Sequence, residues 1–273
     1  MGKGTWLIWL FILMIWINSI SCIRNNVNHL VTNVEIIDTT FVSKFVDDSI
    51  RIDISLPAGY NNNSEKIYPI VYMTDGYWRR EIHGTIHQMS SNKEIHEVIL
   101  VGIGYPDGYD FNNIRVRDLI INADKLLSCI KEEIIPYVEK RYRVNLQNRT
   151  LWGSSYGGYF LVYSFTEHVK QGRLFKNYIC ASAALNPPYP NVDLLNNEKK
   201  LWESTKELSV SLYITVGGLE TPFFLDSYDK IINTIKSHNY QDFHFVYEII
   251  PGTDHYTVWK PTLLKGLKKF LNK

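Results

Sequence analysis

Hydrophobic and polar residues alternate over residues 49–56, with isoleucine or leucine at each even position. A period of two residues is typical of a β-strand that buries one face. The preceding run, residues 34–45, is also rich in strand-forming residues, and Asp47 and Asp48 between the two runs are typical turn residues. The pattern therefore predicts an antiparallel hairpin.

After the hairpin, short apolar runs alternate with segments of helical character. The apolar runs predict strands at residues 68–73, 98–103, 150–152, 178–183, 210–216 and 243–250. Helices are predicted at residues 122–142, with a kink or break at Pro136, and at 156–167, 227–237 and 257–271. Strands that alternate with helices in this way form a mostly parallel sheet covered on both faces. We therefore predict a three-layer α/β sandwich with the hairpin as an antiparallel edge.

The first 21 residues differ from the rest of the chain. Lys3 precedes a nearly continuous apolar run at residues 5–17, and Ser19 and Ser21 provide small side chains before a cleavage position at Cys22. This pattern is typical of a secretory signal peptide, and the apolar run is short for a membrane-spanning helix. We predict an exported protein whose single catalytic domain spans residues 22–273, periplasmic, extracellular or at the cell envelope. A retained membrane anchor is the alternative.

The three cysteines have different expected roles. Cys22 would be the first mature residue, as in a lipid-anchored bacterial lipoprotein, but Ser19 stands where such signals usually carry an apolar residue. Lipidation of Cys22 and a free N-terminus are therefore equal alternatives. Cys129 lies in a predicted helix and Cys180 in a predicted strand, so we expect buried free thiols rather than a disulfide.

The charge balance argues against nucleic-acid partners. The formal net charge is +1 over 273 residues, and the chain after the leader is neutral because Lys3 is lost. No basic run remains that could hold a polyanion. The 18 tyrosines and 7 tryptophans suit a site for rings or sugars, but an ordinary core and surface is the preferred interpretation.

Residues 153–157, Gly-Ser-Ser-Tyr-Gly, fit the pattern G-x-S-x-G of a nucleophile elbow. In such an elbow a serine, here Ser155, occupies a strained turn between a strand and a helix. The flanking glycines are needed because a side chain would collide with the turn or the helix. The pattern alone occurs by chance, so its meaning depends on partner residues elsewhere in the chain.

A serine nucleophile needs a base, and the base needs an orienting acid. His255 follows the last predicted strand and precedes the last helix, which is the place of the histidine in the order Ser, acid, His. Glu220 is the first carboxylate after the preceding strand, and we expect it to be the acid. The alternatives are Asp226, Asp229 and Asp254.

An oxyanion hole needs two backbone N–H groups near the serine. One is expected from Tyr156, directly after Ser155, and the other from Tyr77, in the loop after the strand at residues 68–73. Along the chain the oxyanion loop comes first, followed by the elbow, the acid and the histidine. This is the order that a serine hydrolase with a nucleophile elbow requires.

These pieces resemble the putative-esterase family of α/β-hydrolases, which includes esterase D (S-formylglutathione hydrolase), feruloyl esterases and siderophore esterases. The resemblance rests on residues 68–76, 101–106, 115–119 and 153–158 and on the loops of Glu220 and His255, and it covers residues 34–273. Residues 73–76 and 115–119 are more similar to hydrolases grouped with siderophore esterases than to esterase D. The resemblance implies ester hydrolysis through an acyl-enzyme, but not the substrate.

Other candidate residues carry weaker signals. His83 and His87 have metal-binding spacing, but no carboxylate completes a set and we expect an exposed pair. Arg79 and Arg80 follow the oxyanion loop and could bind an anionic substrate, with a solvated surface pair as the alternative. For Arg115, Arg117 and Asp118 we expect a structural ion network beside the site.

Taken together, the sequence predicts a serine carboxylesterase that needs no metal or organic cofactor. Its substrate would be a small-molecule or carbohydrate ester. A siderophore or aryl ester ranks slightly ahead of a feruloyl or acetyl ester on polysaccharide. A non-catalytic binding protein on the same scaffold is the alternative of a different class, and a peptidase is less favoured. The oligomeric state and the natural substrate are left open.

Overall fold

An eight-stranded sheet lies at the centre of the computed structural model, which describes residues 34–76, 80–186 and 193–272. The strands run in the order β1-β2-β4-β3-β5-β6-β7-β8 across the sheet. Their bounds are β1 (Ile36–Ser43), β2 (Asp48–Ser55), β3 (Tyr68–Met73), β4 (Ile99–Gly104), β5 (Val144–Ser154), β6 (Asn177–Ala181), β7 (Glu207–Gly217) and β8 (Gln241–Ile250).

The predicted hairpin is confirmed, since β1 and β2 pair antiparallel with Thr39 opposite Ile52. Asp47 forms part of the turn with a φ of 58°, a left-handed value that Asp tolerates better than most residues. β2 also pairs antiparallel with β4, and all pairs from β4 to β8 are parallel. The carboxyl ends of the parallel strands therefore meet at one edge of the sheet.

The helices cover both faces. They are α1 (Glu81–Ser91), α2 (Phe111–Arg115), α3 (Ala123–Cys129), α4 (Ile135–Glu139), α5 (Tyr156–Thr166), α6 (Leu194–Ser204), α7 (Pro222–Ser237) and α8 (Trp259–Leu271). Two π-helical segments, Val116–Ile121 and Ile130–Ile134, connect α2 to α3 and α3 to α4. Among the described helices, none has both the length and the apolar character needed to cross a membrane.

The helical region before β5 differs from the prediction of one helix over residues 122–142. It begins earlier, at Phe111, because the side chain of Asp110 caps α2 by accepting hydrogen bonds from the backbone N–H groups of Asn112 and Asn113. Pro136 is the second residue of α4, which directly follows the π-helical segment Ile130–Ile134, so the helical chain continues through the proline with a change from π to α character. The helices α1, α2 and α6 were not predicted as elements.

The side chains of the sheet alternate between two cores, which confirms the three-layer sandwich. On β3, Ile70 and Tyr72 pack in the larger core with α2 to α7, whereas Val71 and Met73 pack in the smaller core with α1 and α8. Residues 35–273 form one compact unit. The predicted leader and Cys22 lie outside the described residues. Cys129 and Cys180 are buried and free, as predicted, and burial raises the pKa of Cys129 to about 12.

The expectation of an exposed histidine pair is wrong. His83 and His87 lie on the face of α1 that points to β2, and both are buried. Ser55 Oγ lies 2.6 Å from His83 Nδ1 and 2.8 Å from His87 Nε2, so one hydroxyl group joins both rings. No group of three metal-ligating side chains occurs among the residues that the structure describes.

We predict that the buried histidines make stability depend on pH. Burial lowers the pKa of His83 and of His87 to about 4, below the value near 6.5 of an unfolded chain. The unfolded state therefore binds more protons between these values. Stability is fully present above about pH 6.5 and is lost as the pH falls towards 4, by up to about 3 kcal/mol for each histidine.

Urea unfolding at a series of pH values from 7 to 4 measures this effect. The variant His83→Gln should lose less stability than the wild type over this range. His244→Gln, which changes an exposed histidine, should keep the slope of the wild type. An equal slope in the wild type and His83→Gln would contradict the prediction.

Candidate active site

Ser155 lies in the turn between β5 and α5 with a φ of 57° and a ψ of −118°. Few residues other than glycine adopt such a backbone, and it costs on the order of 1–3 kcal/mol. Hydrogen bonds of the N–H and the carbonyl group of Ser155 hold this backbone conformation in place. The N–H of Ser155 donates to the carbonyl of Ala181 at 3.1 Å, and its carbonyl accepts from the N–H groups of Tyr159 and Ala184 at 2.9 and 3.0 Å.

Close contacts at the Cβ positions require both glycines of the motif, with backbone atoms at Gly153 and with side-chain atoms at Gly157. A Cβ on Gly153 would lie 2.2 Å from the carbonyl oxygen of Gly157, and a Cβ on Gly157 would lie 2.2 Å from Thr74 Oγ1. Thr74 is fixed in turn, since its N–H donates to the carbonyl of Trp152 at 3.1 Å. The elbow therefore needs glycine at both positions, where β5 approaches α5 and where Thr74, directly after β3, packs on α5.

The structure brings Ser155, His255 and Glu220 together in one chain of hydrogen bonds. His255 Nε2 lies 2.9 Å from Ser155 Oγ, and His255 Nδ1 lies 2.9 Å from Glu220 Oε1. The Glu220 side chain is only 3% exposed, whereas that of His255 is 24% exposed. The ring of Phe224 packs 4.6 Å from the imidazole. The imidazole thus contacts a hydroxyl with one nitrogen and a buried carboxylate with the other.

The loops that carry the acid and the base are joined to each other. The N–H of Leu219 donates to the carbonyl of Thr253 at 2.8 Å, and the N–H of Gly218 donates to the carbonyl of Ile250 at 2.9 Å. A Cβ on Gly217 would lie 2.6 Å from the Thr253 carbonyl oxygen. Backbone contacts between the two loops therefore set the distance from Glu220 to His255.

Two of the alternative acids are engaged elsewhere. Asp254 Oδ1 accepts hydrogen bonds from the backbone N–H groups of Tyr256 and Thr257 and from Thr257 Oγ1, and the Thr257 hydroxyl is the main cause of its lowered pKa. Asp226 pairs with Lys230 on the exposed side of α7 at 2.7 Å, and Asp229 lies on the same helix. Glu220 is the carboxylate that contacts His255.

The structure describes one of the two residues that are predicted to donate to the oxyanion. Tyr156 is the first residue of α5, so its backbone N–H lies at the N-terminus of that helix, directly after Ser155. Tyr77 lies outside the described residues. The residue before it, Gly76, is tightly fixed, because a Cβ there would lie 2.1 Å from the Cα of Gly102 on β4. The second donor therefore stays a prediction.

The arginines near the site bind carboxylates. Arg80 donates two hydrogen bonds to Asp53, at 2.9 and 3.2 Å, and the Asp53 side chain is 1% exposed. Arg79 lies outside the described residues, so a substrate contact of this pair stays a prediction. Arg117 pairs with Asp118 and with Asp48, in line with the expected ion network. Arg115 belongs to a separate pair, with Asp75.

Apolar side chains beside the acid and the base were missed in the sequence. Leu219 and Phe223, on either side of Glu220, are 68% and 51% exposed, and Tyr256, next to His255, is 82% exposed. Exposed apolar side chains mark a binding site when they form one patch, and these three lie near the acid and the base in the sequence. A clue was available in the sequence, since each flanks a candidate catalytic residue.

A family model described as "Putative esterase" matches residues 43–270 of this chain. Among curated proteins, the uncharacterized protein YjcH of Bacillus subtilis (strain 168) is 25% identical over 245 residues, covering 85% of this chain and 95% of the relative.

Solved structures share the fold. The BES protein from Bacillus cereus has a TM-score of 0.76 at 21% identity, covering 90% of this chain and 99% of its own. The siderophore hydrolase EstB from Aspergillus nidulans has a TM-score of 0.74 at 20% identity, covering 87% of this chain and 95% of its own. A ferulic acid esterase has a TM-score of 0.64 at 18% identity, covering 87% of this chain and 97% of its own. At these identities the likeness shows a shared fold, the predicted α/β-hydrolase fold.

We predict that Gly153→Ala destabilises the protein by about 2 kcal/mol or more, because the added methyl group meets rigid backbone atoms. Gly59→Ala is the matched control. Its Cβ would meet the flexible end of the Glu97 side chain, and the cost should stay below about 1 kcal/mol. Urea unfolding of both variants measures the difference. Equal stability of the two would contradict the packing argument.

Proposed function

The chain belongs to the putative-esterase family, and from this premise we propose that it is a serine carboxylic-ester hydrolase that works through an acyl-enzyme. The observation that carries the proposal is the chain of two hydrogen bonds, each 2.9 Å long, from Ser155 Oγ through His255 to Glu220. Such a chain activates a hydroxyl group that is otherwise a weak nucleophile.

Acylation begins when Ser155 Oγ attacks the ester carbonyl carbon and its proton passes to His255 Nε2. The C=O bond opens to an oxyanion, which the N–H of Tyr156 and a second N–H, assigned to Tyr77, stabilise. The carbonyl then re-forms, the bond to the leaving alkoxy group breaks, and His255 returns the proton to that oxygen. An alcohol leaves, and the acyl group remains on Ser155.

Deacylation repeats these steps with water. Water loses a proton to His255 Nε2 and attacks the acyl carbon, and the bond to Ser155 Oγ breaks as that oxygen takes the proton back. A carboxylic acid is released. Throughout, the buried Glu220 carboxylate holds the Nδ1 proton of His255, fixes the tautomer and stabilises the imidazolium that forms in each half-reaction.

Within this class we propose a siderophore or aryl ester as substrate. The exposed apolar side chains Leu219, Phe223 and Tyr256 flank the acid and the base and suit an aromatic or apolar part of the ester. The likeness to EstB, a siderophore hydrolase by name, supports the same choice. The likeness to a ferulic acid esterase favours a feruloyl ester as the second candidate.

The location of the enzyme is a separate proposal. The leader, with Lys3, the apolar run and the cut before Cys22, supports export to the periplasm, the cell envelope or the medium. Mass spectrometry of the mature N-terminus tests it. A lipidated Cys22 indicates anchoring in a membrane, a free N-terminus at residue 22 indicates release, and an uncleaved leader contradicts the proposal.

We predict that Ser155→Ala lowers kcat on a p-nitrophenyl ester by at least about 10⁴-fold, since the nucleophile is lost. The neighbouring Ser154, which is buried at the end of β5, provides the matched control, and Ser154→Ala should turn over like the wild type. Equal losses in both variants, or undiminished turnover of Ser155→Ala, would exclude the serine mechanism. No turnover by the wild type would favour a non-catalytic binding protein.

Assays of the wild type and Ser155→Ala on a panel of esters also distinguish between the candidate substrates. We expect the highest Ser155-dependent kcat/KM on a ferric catecholate ester or a simple aryl ester. Feruloylated sugars or acetylated xylan as the best substrate would instead support the alternative, an esterase that acts on polysaccharide.

We predict that Glu220→Gln lowers kcat by about 10²- to 10⁴-fold, because the amide no longer stabilises the imidazolium or the correct tautomer. Asp226→Asn removes an exposed carboxylate of the neighbouring helix and should leave kcat unchanged. Initial rates of the two variants against the wild type decide the matter. A loss in Asp226→Asn as large as in Glu220→Gln would mean that the acid is wrongly assigned.

A further inference from the structure

Arg115 and Asp75 form a nearly buried, two-point ion pair beside Ser155. Arg115 Nε donates to Asp75 Oδ1 at 2.7 Å, and Arg115 Nη2 donates to Asp75 Oδ2 at 2.8 Å. The two side chains are 12% and 4% exposed. Parallel hydrogen bonds of this kind fix the orientation of both groups, which a single contact does not.

Asp75 belongs to the turn that leads into the predicted oxyanion loop. Its φ of 58° lies in the left-handed region, as at Asp47, and the two hydrogen bonds from Arg115 fix its side chain. Gly76, the next residue, packs directly on the backbone of Gly102. The Asp75 carboxylate also lies against the first turn of α5, since a Cβ on Gly157 would be 3.3 Å from Asp75 Oδ2.

The same guanidinium group contacts the residue after the nucleophile. Arg115 Cζ lies 5.2 Å from the centre of the Tyr156 ring and 4.8 Å from that of Phe111. A cation over an aromatic face is attracted to it, most strongly where water is excluded. One side chain therefore touches both the turn before residue 77 and the residue that begins α5.

We propose that Arg115 is a positioning residue, which joins the Asp75–Gly76 turn to Tyr156 and keeps the two walls of the oxyanion site at a fixed distance. This inference rests on the proposed serine esterase mechanism. The described contacts of Arg115 do not include Ser155, His255 or Glu220. Arg115 acts by holding the Tyr156 N–H where the oxyanion forms, and a small displacement of such a donor is costly.

Arg117 offers a matched control. It makes an equivalent two-point contact, with Nε and Nη2 at 2.7 and 2.8 Å from the oxygens of Asp118, and it also binds Asp48. Its described partners do not include Asp75 or Tyr156. Replacing either arginine by methionine removes the guanidinium group from a buried aspartate, but only the change at Arg115 should reach the oxyanion site.

The test compares Arg115→Met, Arg115→Lys and Arg117→Met in p-nitrophenyl acetate hydrolysis and in inhibition by phenylboronic acid, which forms a tetrahedral adduct with a serine nucleophile. Arg115→Met should lower kcat about 10- to 100-fold, with KM unchanged within about twofold. It should weaken inhibition by a similar factor and leave the pH profile of kcat/KM unmoved. Arg117→Met should change each quantity by less than about twofold.

Equal losses in Arg115→Met and Arg117→Met, or an unchanged kcat in both Arg115 variants, overturn the proposal. If Arg115→Met fails to fold, as judged by its near-ultraviolet circular dichroism, Arg115→Lys decides by the same criteria, because it keeps the charge and loses the two-point contact. Undiminished turnover of Ser155→Ala overturns the proposed function itself. An inactive Ser155→Ala beside a fully active Arg115→Met overturns only the role of Arg115.

Discussion

The strained backbone of Ser155 is the feature on which the rest of the site depends. Its positive φ turns the chain sharply from β5 into α5, and bonds to Ala181, Tyr159 and Ala184 offset the cost of that turn. The turn requires Gly153 and Gly157 because neighbouring atoms leave no room for a Cβ. The hydroxyl is thereby presented at the sheet edge where the loops after β7 and β8 bring in Glu220 and His255.

The sequence was informative wherever function depends on chain order. In a parallel sheet, residues that directly follow a strand lie at one edge, so the places of Ser155, Glu220 and His255 after β5, β7 and β8 made their meeting predictable. The hairpin and the three layers followed from short-range hydrophobic patterns. Asp254 was a poorer candidate because neighbouring residues rarely point their side chains at one another, and in the structure its carboxylate accepts from the N–H groups of residues 256 and 257.

Features that depend on contacts between distant segments could not be predicted. The burial of His83 and His87 results from the packing of α1 on β2, where Ser55 supplies a shared hydrogen-bonding partner. The two-point pair of Arg115 and Asp75 joins residues that are 40 positions apart. The burial of the two histidines and the pairing of Arg115 with Asp75 depend on the completed tertiary structure. No local sequence pattern encodes these contacts.

The central claim is that Ser155 carries the acyl group during turnover. Mass spectrometry of peptides from a reaction with a p-nitrophenyl ester, quenched in acid within the first turnovers, tests it most directly. We expect one added acyl group, located on the peptide that contains Ser155 and absent from Ser155→Ala. An acyl group on another residue, or continued hydrolysis by Ser155→Ala without any acylated peptide, would contradict it.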